Sequence, residues 1–85
     1  MKAYDIDGNS VVVGNMVRVL SIRDSVLSRL DSEDRMRVSA MQGTVLPVYE
    51  IDDWGGVWVR MQWAIDGEKS VSHSISLASN EMRRA

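Results

Sequence analysis

Two apolar runs, residues 44–51 and 57–63, flank Asp52-Asp53-Trp54-Gly55-Gly56. Valine, isoleucine, tyrosine and tryptophan suit a pleated, half-buried surface, and an Asp/Gly cluster accepts the positive φ angles of a hairpin turn. This stretch predicts an antiparallel hairpin in the middle of a small barrel. On its second strand Val57, Val59, Met61 and Trp63 fall on one face and Trp58, Arg60 and Gln62 on the other.

The cleanest alternation follows at 71–77, where Val71, His73, Ile75 and Leu77 are interleaved with Ser72, Ser74 and Ser76. That pattern predicts a strand with one wet side. Upstream, residues 3–13 read as a hairpin turning at Asp7-Gly8-Asn9, and 14–22 as a strand with Val17 and Val19 inward and Arg18 outward. Residues 25–42 change character: Val26, Leu27 and Leu30 suit one helical turn, and Asp31 or Ser32 suits the N-cap of a second helix. There Glu33 and Asp34 favour the dipole, Met36, Val38 and Met41 are expected to supply apolar contacts, and Gly43 a stop. The mixed-sign run of Arg29, Arg35 and Arg37 with Asp31, Glu33 and Asp34 reads as a solvated helix face. After the Asp66-Gly67 turn and the 71–77 strand, residues 78–82 read as a tight turn and short strand, and 83–85 as a frayed tail.

The pattern therefore predicts a single mainly β domain over 1–85, an antiparallel barrel of about five strands with a short helical insertion at about 25–42. Composition narrows its chemistry. Without cysteine, disulfides and thiolate metal sites are excluded, and one histidine is a poor start for a transition-metal centre. Ten basic against twelve acidic residues, a net charge of −2, argues against a dedicated nucleic-acid binder. No secretory signal or membrane span is read, so a cytoplasmic location is the expectation.

Asp5-x-Asp7-Gly8-Asn9 spells the opening of a calcium loop, but Met16 stands where the closing glutamate belongs. His73 lies between two serines whose side chains point to the opposite face, so it reads as a half-buried rim residue. Glu50, Asp52, Asp53, Asp66 and Glu68 crowd the turns and read as solvated carboxylates of ordinary pKa. No catalytic residue, metal ligand or cofactor is therefore expected. Trp58 beside Arg60 on an outward face has the composition of a protein-contact site, and an aromatic beside an arginine also stacks nucleobases. A bulge near Pro47 or Gly55-Gly56, or cover by the helical insertion, would instead bury Trp58. Tyr49, Trp54 and Gln62 complete the candidate contact set.

Gly14-x-x-Val17-Arg18-Val19, a long connection, Gly43-Thr44-Val45, the central hairpin and a terminal turn and strand at 78–82 together resemble the layout of SH3-like barrels. The likeness is to the group that includes the photosystem I E subunit, the variable chain of ferredoxin–thioredoxin reductase and the nitrile hydratase β-subunit barrel. The opening pattern also recurs in KOW domains. The resemblance implies a small bacterial module that docks on a larger protein without catalytic residues of its own, or, as the alternative, a KOW-like nucleic-acid or ribosome-associated domain. Tyr49, Trp54 and Trp58 do not reproduce the paired aromatics of peptide-binding SH3 domains, and KOW domains are more basic. Either a monomer or a homodimer paired through an open edge strand fits this reading.

Overall fold

The computed structural model describes residues 2–85. A two-stranded hairpin, β1 (Ala3–Tyr4) and β2 (Ser10–Val11), precedes β3 (Met16–Val19), and two helices follow, α1 (Asp24–Leu27) and α2 (Ser32–Ser39). The chain then runs as a meander through β4 (Val45–Ile51), β5 (Val57–Ala64) and β6 (Ser70–Leu77), makes one turn of 3₁₀-helix (Ser79–Glu81), and ends in β7 (Met82–Arg84). The main sheet is antiparallel, in the order β6-β5-β4-β3-β7.

Mainly β architecture and the helical insertion agree with the sequence pattern. Closure does not. Among the described residues β6 and β7 share no ladder, so the five strands form an open sheet where a closed barrel was expected. β4 pairs with β3 through Val45, Leu46 and Pro47, and with β5 through Val48, Glu50 and Ile51, with a bulge at Tyr49 between Val48 and Glu50. A bulged strand bends and twists more strongly. β4 thus passes from one half of the sheet to the other at Tyr49. The bulge lies on β4, so β5 keeps its period-2 alternation.

The core is built on the inner face of the main sheet. Val17, Val19, Val48, Val57 and Val59 are fully enclosed, with Ile75, Leu77 and Met82 beside them. The insertion is tied to this core by Val38 and Met41, both buried, while Ile22, Val26, Leu27 and Leu30 pack at its margin. Asp31 caps α2 by accepting from the Asp34 N–H at 2.9 Å, as its position suggests. Met36 departs from expectation. It is 74 % exposed, because the short α2 turns only Val38 inward, and Met41 reaches the core from the turn beyond.

Two further expectations are corrected at the ends of the chain. Val12 and Val13 are exposed and belong to a turn closed by the Val12 N–H donating to Asn15 Oδ1, so the second N-terminal strand stops at Val11. Arg83 and Arg84, read as a fraying tail, instead pair with β3 in β7. Arg83 Nε donates to Asp7 Oδ2 at 2.8 Å, and the Arg84 N–H donates to Asp5 Oδ2 at 2.8 Å. The Ile6 N–H donates to the Met82 carbonyl at 3.1 Å, so the N-terminal hairpin covers the outer edge of β7.

Candidate functional site

The outward face of β5 carries the side chains that the alternation predicts. Arg60 and Gln62 are exposed and Trp58 is half-buried. The bulge places Tyr49 beside them, with the Arg60 guanidinium 4.7 Å from the centre of the Tyr49 ring. Arg60 Nε also donates to Ser74 Oγ at 3.1 Å, so the guanidinium is held from two sides. Such a cation over a tyrosine face is worth about 0.5–1 kcal/mol when exposed.

Beyond Val59 the β4–β5 ladder stops, while β5 stays paired with β6 as far as Ala64. The strands diverge there and leave a groove of about 370 Å³ lined by Leu46, Pro47, Tyr49, Arg60, Met61 and Gln62. Leu46, Pro47 and Met61 make part of its lining apolar, and the Tyr49–Arg60 pair belongs to the same lining.

The other two candidates sit elsewhere. Trp58 is tied to the β4–β5 turn, its Nε1–H donating to Asp52 Oδ2 at 3.0 Å. Asp52 organises that turn: its Oδ1 accepts from the Trp54 N–H at 3.0 Å and the Gly56 N–H at 2.7 Å. A Cβ at Gly56 would come within 2.5 Å of Asp52 Oδ2, so glycine is what lets the carboxylate fold back over the turn. Trp54, at the turn's tip, is 88 % exposed and borders a separate hollow of about 340 Å³ with Arg23, Asp52, Gly56 and Ser79. Tyr49, Arg60 and Gln62 therefore share a site, Trp58 buttresses a turn, and Trp54 stands apart.

His73 is half-buried on the inner face of β6. Its Nε2 donates to Asp34 Oδ1 at 3.0 Å, and its ring meets Trp63 edge-on, centroids 5.9 Å apart. Arg37 Nη1 donates to the same Asp34 oxygen at 3.0 Å. This set fastens α2 to the β5–β6 hairpin. Ser72 and Ser74 point to the opposite, exposed face and give His73 no hydroxyl to activate.

Of the turn carboxylates read as ordinary, Asp52 departs from that reading, and Asp5, Asp34 and Glu81, outside that set, are perturbed as well. Asp5 is buried, and the Arg84 N–H is the chief cause of a pKa lowered to about 2, aided by the Asn9 and Asp7 N–H groups against the cost of burial. Asp52 is lowered by the Gly56 N–H first and by Trp58 Nε1–H next, and Asp34 by His73 first and Arg37 as well. Glu81 is buried, which alone would raise its pKa, yet hydrogen bonds from Arg23 and the Ala78 N–H hold it below the usual range. Short-range sequence signals existed for Asp5 and Asp52, each followed by a glycine within four residues; Glu81 carried none.

These carboxylates set an acid limb to stability. A group whose folded pKa is depressed binds fewer protons when folded than when unfolded, so its contribution is present above the unfolded value and lost as pH falls. With unfolded Asp near about 3.9, the urea midpoint is expected to hold from neutrality to about pH 5 and then fall steadily toward pH 2. Asp5→Asn should lower the neutral midpoint and flatten that limb. A midpoint unchanged between pH 5 and 3 in the parent chain would contradict the assignment.

Among the described residues no three His, Cys, Asp or Glu side chains gather as metal ligands, and no helix is long and apolar enough to cross a membrane. Comparison with protein-family models, curated proteins and solved structures returns no match for this chain.

Proposed function

We propose that this chain is a non-catalytic docking module that binds another protein through the Tyr49–Arg60–Gln62 face. The observation that carries the reading is the groove itself. Leu46, Pro47 and Met61 line it together with a tyrosine that has an arginine stacked on it, at the point where β4 leaves β5. Tyrosine and arginine are enriched at the energetic centres of protein contacts, where they combine large apolar area with a polar end. A fitting partner is an extended segment that lays an apolar side chain against Leu46 and Met61 and offers a carboxylate to Arg60.

An SH3-like origin is part of the same proposal. A meander β3-β4-β5-β6 with the last strand returning to pair with β3 fits the order that layout requires, and the 3₁₀ turn at Ser79–Glu81 stands where the terminal turn is expected. The barrel would then be one left open between its first-edge and last-edge strands. A cytoplasmic setting remains part of the proposal.

The test is affinity capture from the source cell's lysate with the parent chain, Tyr49→Ala, Arg60→Ala and Trp54→Ala, each first checked by circular dichroism. A protein held by the parent and by Trp54→Ala, and lost by at least about tenfold with Tyr49→Ala and Arg60→Ala, supports the groove. Retention of nucleic acid instead, released steeply by salt, would replace the protein reading with the nucleic-acid one. Equal retention by all four chains would overturn it.

A further inference from the structure

The two edges of the main sheet are treated differently. The β7 edge is covered: Ile6 and Asp5 bond its backbone, and Arg83 and Arg84 place charge along it. The β6 edge carries none of these guards. Its ladder with β5 runs from Val57↔Leu77 to Ala64↔Ser70 without a bulge, and residues 70–77 contain no proline, lysine, arginine or carboxylate. Among the described residues no backbone group of this strand bonds to anything but β5. A long, flat, uncharged edge is a template for another strand.

The parity of the free groups follows from the turn. The Ile65 N–H donates to the Lys69 carbonyl at 2.9 Å, which makes that pair a hydrogen-bonded one. Alternation along an antiparallel ladder then directs the backbone of Val71, His73, Ile75 and Leu77 toward β5. The N–H and C=O groups of Ser70, Ser72, Ser74 and Ser76 consequently point away from the sheet.

We infer that β6 is a homodimerisation edge, pairing antiparallel with β6 of a second copy about a twofold axis through Ser74. Centred there, Ser74 faces Ser74, Ser72 faces Ser76, His73 faces Ile75 and Val71 faces Leu77. Small polar residues meet small polar residues on the wet face, and the larger side chains meet on the core face. No like charges oppose each other. Each of the three outward-bonding serine pairs supplies two backbone bonds, about six in all. Shifting the axis to Ser72 would carry β6 past its partner into the exposed 65–69 turn and lose the Leu77 and Ile75 contacts. An isologous β6 pair closes on itself, and the covered β7 edge prevents the dimer from growing further.

Sedimentation velocity over a concentration series tests this, with three variants. The parent should shift from monomer to dimer as concentration rises. Ser74→Pro removes an outward N–H, leaves the β5 ladder intact because that N–H is not used there, and should abolish the dimer while far-ultraviolet dichroism is retained. Ser74→Cys introduces the sole cysteine of the chain at a self-facing position, where Cα atoms about 5.5 Å apart fall within disulfide range, so oxidation should yield a covalent dimer. Ser72→Cys faces Ser76 and should cross-link poorly alone. A parent chain that stays monomeric up to its solubility limit overturns the inference. So does a dimer that survives Ser74→Pro, or cross-linking of Ser72→Cys as fast as Ser74→Cys.

Discussion

Met41→Ala is expected to destabilise the protein by roughly 2–5 kcal/mol in urea unfolding, whereas Met36→Ala is expected to change it by less than about 0.5 kcal/mol. The two methionines lie in the same insertion and differ only in where the chain puts them. Met41 is fully enclosed and packs with Val38, so truncation removes buried thioether and methylene groups and leaves a void that the surrounding strands close only in part. Met36 projects into water. For 85 residues a total stability of about 4–13 kcal/mol is ordinary, so the Met41 change would consume a large share of it and loosen the whole connection between β3 and β4. Equal midpoints for the two variants would mean that the insertion is not anchored through Met41.

The second large effect is at Glu81. Glu81→Ala should cost about 2–3 kcal/mol, and Glu81→Gln less, because the amide keeps an acceptor for the Ala78 N–H but loses the charge opposite Arg23. Glu81 Oε1 accepts from Arg23 Nη2 and from the Ala78 N–H, both at 2.7 Å, and its main-chain carbonyl accepts from the Leu20 N–H at 2.8 Å. One residue thus clasps the start of the insertion to the last strand. Removing the carboxylate strands a guanidinium and a backbone N–H. The Arg23 side chain is close to half exposed, which keeps the loss below that of a fully enclosed pair. A double-mutant cycle of Glu81→Ala with Arg23→Ala isolates the pair, and a coupling near zero would show that the cap on Ala78 carries the whole effect.

How much of this was legible in the chain depended on the distance over which each cause acts. The faces of β5 and β6 follow from neighbours two residues apart, so Val57, Val59, Ile75 and Leu77 could be placed inward from the alternation alone. The α2 cap is equally local, since Asp31 needs only the N–H three residues on. The Tyr49 bulge was not legible in place: a bulge residue carries no obligatory signature, yet this one brings Tyr49 beside Arg60. Nor could the carboxylates be assigned. Asp5 works through the N–H of Arg84 and Glu81 through Arg23, partners 79 and 58 positions away. The sequence also left Trp58 undecided between contact surface and core. The structure leaves it half-buried with its indole bonded to Asp52, while Tyr49 and Arg60 line the groove, which is why those two are the side chains to remove.

The pairing of β7 with β3 bears on the order in which the chain assembles. Strands β4, β5 and β6 are joined by short turns, and their contacts close loops of modest length. β7 must find a strand more than sixty residues upstream, and loop-closure entropy is spent before that contact returns anything. The meander is therefore the natural nucleus and the β3–β7 clasp a late event. In a chevron, Glu81→Ala should then accelerate the unfolding limb and leave the refolding limb nearly where it was. The clasp would act as a latch on lifetime: it slows escape from the native state more than it speeds arrival there.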